Sequence, residues 1–293
     1  MDQPQVVRVA TERRQVEDWS LALTASGVES RIDWSPQHGY LLLVTAAVAP
    51  RAEATLAAYD DENRPPPRLR PLPEYGSGIA AALLAAALCA LFVVTGPRAD
   101  GHPWFAAGGA DARRMLADGE WWRAVTALTL HSDFLHILSN AVVLVIFGSA
   151  LCTLVGPGAG LWLLLLSGAA GNAVNVLLRG APYHGIGAST AIFGGLGALA
   201  AVRVVQRRTG GAVSPWRAWA PFAAALGLLG MLGSSVRSDV LAHLFGFAAG
   251  LGLGGALAVL HPEPLPPRTQ RLLVVSAAVL VAGCWLLAWY HAA

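Results

Sequence analysis

The chain has 293 residues, of which 55% are hydrophobic and only 13% charged, with a formal net charge of +2. That balance is too apolar for an ordinary soluble enzyme, and nothing in it calls for a nucleic-acid partner. The three cysteines, Cys89, Cys152 and Cys284, all sit in hydrophobic runs without paired spacing, which argues against a disulfide framework or a zinc site.

In chain order, residues 1–63 read as a small soluble α/β domain. In "ERRQVEDWSLALTASG", Val16, Trp19 and Leu23 recur at helical spacing, with Gly27 as the stop. "VESRIDWS" and "GYLLLVTAAV" predict two strands joined around residues 36–39, and "PRAEATLAAYDDEN" a second helix with Pro50 at its start. A Pro/Arg-rich linker, residues 64–75, follows with Arg64, Arg68 and Arg70.

Seven uncharged runs of membrane length come next: 76–96, 134–155, 159–178, 187–202, 218–236, 240–260 and 272–290. The polar start predicts no cleavable signal peptide, so the first span itself targets the chain to the membrane. Arginines mark the linker, the loop after the fourth span (Arg203, Arg207, Arg208, Arg217) and the loop after the sixth (Arg268, Arg271). The positive-inside rule then puts the N-terminus in the cytoplasm and the C-terminus outside. The outer loop, 97–130, mixes Trp104, Phe105, Met115, Leu116, Trp121 and Trp122 with charges, as expected of a segment lying in the membrane interface. Anchoring and a functional role remain equally open for it.

Strongly polar residues inside spans need a partner or a task. Four stand out: His136 and Asn140 in the second span, Ser189 in the fourth and His243 in the sixth. Taken singly each has a plain explanation. A membrane serine usually bonds the carbonyl four residues back, and His136 with Asn140, sharing a face at i and i+4, could be a structural clasp. Threading the spans in order, however, puts all four at one depth near the outer surface. A serine becomes a nucleophile when a base lies in reach, and His243 is the best-placed base. Asn140, His136 and the Ser189 backbone N–H could then donate to the oxyanion. Gly187, Gly194, Gly195 and Gly197 on the fourth span, with Gly246 and Gly250 on the sixth, would allow the close crossing that a Ser–His contact requires. No carboxylate lies within the spans, so a dyad is preferred; Asp239 is expected to cap the sixth helix.

These stretches together resemble the rhomboid family of intramembrane serine proteases. "WWRAVTALTLHSDFLHILSN" is similar to the family's W-R element followed by H-x4-H-x3-N, here Trp122, Arg123, His131, His136 and Asn140. "GIGASTAIFG" resembles its G-x-S motif, with Gly187, Ser189 and Phe193, and "AHLFGFAAG" its A-H-x-x-G-x-x-x-G, with Ala242, His243, Gly246 and Gly250. Thr190 departs from the glycine common after the serine. The resemblance covers residues 76 to 260. It implies a six-helix protease core there and a Ser189–His243 dyad. Asn140 and His136 would line the oxyanion hole, Phe193 would pack beside the histidine ring, and His131 and Arg123 would support the first loop. Residues 261–293 would supply a linker and an additional C-terminal transmembrane helix, the six-plus-one arrangement known in the family. The N-terminal module is similar to small ferredoxin-like domains that precede some bacterial rhomboids, and its partner is unknown.

The expected fold is therefore an all-α polytopic membrane protein of seven helices behind a small cytosolic α/β domain, in a bacterial inner membrane. The expected activity is cleavage of transmembrane protein substrates in contact with membrane lipid, with no cofactor or metal. The fifth span and "GSSVRSD" would form a movable gate. One alternative is a catalytically silent, rhomboid-like protein that binds membrane clients; another is a transporter using His131, His136 and His243, against which stand the lack of acids in the spans and of an inverted repeat.

Overall fold

The computed structural model describes residues 3–63, 78–99, 101–209, 239–263 and 265–292, with five isolated positions between 219 and 230. The chain divides into two compact units, Met1–Pro67 and Arg68–Ala293.

In the first unit, β1 (Pro4–Ala10), α1 (Arg13–Ala25), β2 (Arg31–Ser35), β3 (Gly39–Thr45) and α2 (Ala49–Glu62) follow one another. The sheet is antiparallel with order β1-β3-β2. Val16, Trp19 and Leu23 of α1 pack with Ala52 and Leu56 of α2 over Leu42 and Val44 of β3. Trp19 Nε1 donates to Asp60 Oδ1 at 2.8 Å and ties the two helices together. The sequence patterning missed β1, and its register shows why. A bulge between Val6 and Arg8 breaks the two-residue alternation, so Val7 and Ala10, three apart, both reach the core. A ferredoxin-like fold needs a fourth strand, and residues 64–77 lie outside the described residues.

The second unit is helical. After α3 (Ile79–Thr95), the connecting segment carries α4 (Pro103–Gly108), the short strand β4 (Ala110–Asp111), α5 (Ala112–Ala117) and α6 (Arg123–Thr126). α7 (Phe134–Val155) contains a π-helical turn at Leu144–Gly148. α8 (Pro157–Arg179), β5 (His184–Gly185), which pairs with β4, α9 (Ser189–Thr209), α10 (Val240–Leu260) and α11 (Pro267–Ala292) complete the unit.

Five of these helices are long and apolar enough to cross a membrane: α7, α8, α9 over Ser189–Gln206, α10 and α11. α3 has 17 residues, about 26 Å, slightly short of a full span. The expected fifth span, 218–236, and its gate lie outside the described residues apart from the isolated positions.

One boundary expectation is corrected. α11 begins at Pro267, five residues ahead of the predicted run, because Gln270 is not in a linker but buried. Its Oε1 accepts from Gly158 N at 2.8 Å and Ala159 N at 3.0 Å, and its Nε2 donates to Val155 O at 2.9 Å. One amide thus satisfies orphan groups at the end of α7 and the start of α8. Gly156 and Gly158 make room, since a methyl at either would overlap Gln270. At the other end of α11, Trp285 Nε1 donates to Thr129 Oγ1 at 3.2 Å and the Trp285 ring packs edge-on to Trp104.

Candidate active site

The sequence "GIGAST" cannot enter α9 smoothly, and the backbone shows how it is made to. Gly187 has φ +122°, which only glycine adopts without strain, and a Cβ there would also lie 2.8 Å from the His136 ring. Gly187 N–H donates to Ala127 O at 2.9 Å, and Ala188 N–H donates to His131 Nε2 at 3.4 Å. The turn is thereby pinned to the end of the segment before α7, and Ser189 becomes the first residue of α9. Its backbone N–H belongs to the first turn, where amides have no intrahelical acceptor.

His243 reaches Ser189 from α10: Nε2 and Oγ are 2.7 Å apart. That approach is set by backbone contact between the two helices. A methyl at Gly246 would overlap the Thr190 carbonyl, one at Gly250 the Gly194 carbonyl, and one at Gly197 the Phe247 carbonyl. Gly187 and Gly195 depart from the expected crossing: Gly187 faces His136 of α7, and Gly195, about 100° round the helix from Gly194, faces Leu164 of α8. The Phe193 ring lies 4.4 Å from that of His243, centroid to centroid, and fixes its plane. Thr190 is buried, with its methyl directed at Gly171 of α8, so the larger residue after the serine is matched by a glycine opposite.

α7 supplies the third side. Asp133 caps it, accepting from His136 N–H at 2.9 Å, and this bond, with one from the Ser132 hydroxyl, holds the Asp133 carboxyl below the ordinary carboxylate range. His136 Nδ1 meets the Ser132 hydroxyl at 3.0 Å, and its opposite edge faces Gly187. Asn140, one turn further along the same face, is buried, and its Nδ2 has no hydrogen-bond partner among the described residues. A buried amide donor left without an acceptor costs about 1–3 kcal/mol.

His131 and Arg123 stand behind the site. His131 is fully buried beside His136, ring centroids 5.1 Å apart. Burial pushes its pKa down to about 3, keeping the ring neutral and able to accept from Ala188. Arg123 is buried with Glu120 and donates to the carbonyls of Ala106 and Gly109 at 3.0 and 2.9 Å. It ties together the segment between α3 and α7. Among the described residues, no three His, Cys, Asp or Glu side chains gather as a metal site.

Two residues that matter here were missed in the sequence. Asn172 Nδ2 donates to Ala124 O at 3.0 Å, and Asn175 Nδ2 to Asp239 Oδ2 at 2.8 Å. Both are amides inside the third apolar run, and the rule that singled out Asn140 applies equally to them.

A family model for the rhomboid domain matches residues 118–259, which takes in every residue of this site. The chain is 37% identical over 100 residues to the rhomboid protease GluP of Bacillus subtilis (strain 168), covering 34% of this chain and 19% of that protein. It is 31% identical over 176 residues to RHOMBOID-like protein 5 of Arabidopsis thaliana, covering 54% of this chain and 53% of the relative. The chain thus spans about a fifth and about half of the lengths of these two relatives.

Proposed function

The chain is a member of the rhomboid family, and from that premise we propose that it is an intramembrane serine endopeptidase acting on transmembrane segments of other proteins. The observation that carries this reading is the 2.7 Å contact between Ser189 Oγ and His243 Nε2, on two helices that touch backbone to backbone.

In the proposed reaction His243 Nε2 takes the Ser189 proton as Oγ attacks the scissile carbonyl carbon. The charge that develops on the carbonyl oxygen meets Asn140 Nδ2, His136 and the first-turn amide of Ser189. His243 then hands its proton to the departing amine, leaving an acyl-enzyme that water hydrolyses by the same route in reverse. The orphaned Asn140 donor supports this assignment, because an oxyanion is the acceptor it lacks. The proposal includes a six-helix core over 76–260 with one further span, the N-terminal unit on the cytoplasmic side and the cleavage site near the outer face of a bacterial inner membrane. The arginine pattern supports that orientation.

Cleavage of a single-span model substrate in liposomes tests the reading. Wild type is expected to cut, and Ser189→Ala and His243→Ala to be silent while melting normally. A folded wild type that binds the substrate without cutting would replace this reading by client binding. Cutting by Ser189→Ala would displace the nucleophile.

A further inference from the structure

Behind His243 lies a polar cluster that the proton transfer does not use. α10 opens on Asp239, whose Oδ1 accepts from Ala242 N–H at 3.2 Å as the helix cap. The same carboxylate receives Asn175 Nδ2 at 2.8 Å and Arg179 Nη1 at 3.2 Å, both from the end of α8. Tyr183, in the connection to α9, completes the group: Arg179 Cζ lies 4.9 Å above its ring. Burial, together with a hydrogen bond to Asp239, holds the Tyr183 phenol above its ordinary range. His243 sits one turn along α10, and its N–H donates to the Asp239 carbonyl at 3.1 Å.

The cluster is more than a cap requires. Capping alone needs one acceptor, yet Asn175 is fully buried and Arg179 spans from another helix to the same carboxylate. We propose that Asp239 is a positioning residue for His243, fastening the first turn of α10 to the end of α8 and steadying the imidazolium that forms on proton transfer. The inference rests on the protease reading above. In that step the Oγ–H bond breaks, the Nε2–H bond forms, and the electron pair left on Oγ makes the bond to carbon; His243 gains a positive charge. Titratable groups near His243 include Asp239 at the start of its own helix and His136 on α7, with Arg179 and Tyr183 gathered around the carboxylate. The Asp239 charge favours the imidazolium, and Arg179 offsets part of it.

Two variants separate charge from capping. Asp239→Asn keeps a good N-cap and loses the charge; Arg179→Gln removes the offsetting cation. The readouts are the pH profile of cleavage and, in a Ser189→Ala background, the NMR titration of the His243 imidazole in 13C-histidine-labelled protein. The acid limb and the imidazole midpoint are expected to move down by about half a pH unit in Asp239→Asn and up in Arg179→Gln, with kcat of the former falling about threefold at unchanged KM. Profiles and midpoints of both variants that coincide with wild type overturn the proposal. Should wild type not cleave, the protease reading falls, while the imidazole titration still decides this one by the same opposed shifts. If Asp239→Asn does not fold, the direction of the Arg179→Gln shift decides it alone.

Discussion

The α9–α10 crossing and the attachment of α11 solve one problem, holding helices together where water gives no hydrophobic drive, by opposite means. At the crossing, side chains have been removed: a methyl at Gly197, Gly246 or Gly250 would strike a backbone carbonyl of the facing helix. At α11, side chains do the joining. Gln270 and Trp285 reach out to backbone and hydroxyl groups, while Leu272, Val275, Val279 and Leu286 stay exposed along most of the helix. Backbone contact leaves almost no freedom of position, and long side chains leave some. The first therefore suits a pair of atoms that must stay 2.7 Å apart, and the second suits a helix that only has to remain attached.

That contrast can be broken most severely at the crossing. Gly250→Leu is expected to push α10 off α9 and lower cleavage by about 100-fold or more, since a misplacement of about 1 Å costs that much; a cleavage assay beside a melting curve checks it. Activity within a few-fold of wild type would mean the crossing is not what sets the Ser–His distance. Gln270→Leu should do the reverse. It strands Gly158 N, Ala159 N and Val155 O and is expected to cost about 1–3 kcal/mol in detergent unfolding, with kcat of the folded protein within about twofold.

His131 sharpens the comparison through pH. Its folded pKa lies near 3, below the ordinary histidine value of 6.5, so the unfolded chain takes up a proton that the folded one refuses. Its contribution is therefore full above about pH 6.5 and is lost as pH falls from there towards 3, at up to about 1.4 kcal/mol per unit. His131→Gln is expected to flatten the acid side of a melting-temperature profile; an unchanged slope would put the acid sensitivity elsewhere. The smallest effect belongs to Trp285→Phe, which loses the bond to Thr129 and part of the ring contact with Trp104 and is expected to cost about 1 kcal/mol, with cleavage unaffected.

Much of the site was legible because membrane segments penalise polar groups. Ser189, His243, His136 and Asn140 stood out against apolar neighbours, and the structure gathers Ser189, His243 and His136 around the Gly187 turn, with Asn140 one turn on. The apolar runs were legible for the same reason, and α10 falls on its predicted residues. What escaped depended on distant partners. Gln270 looks like linker until Val155 and Gly158 are placed beside it, 115 and 112 residues away. Asn175 looks like a stray amide until Asp239 arrives. In the N-terminal unit the bulge hid β1, because a strand that departs from two-residue alternation carries no periodic signal.

The distance spanned by Gln270 also has a consequence for biogenesis. The connection between α7 and α8 leaves the translocon with its amides and a carbonyl unmatched, and the side chain that matches them, on α11, lies 112 residues further along the chain than Gly158. Until that helix inserts, the turn depends on whatever else can bond it, lipid headgroups, water or an assembly factor. The α7–α8 turn is thus completed only once α11 has been made, and a nascent chain arrested before residue 270 carries Ser189 and His243 on an unfinished scaffold.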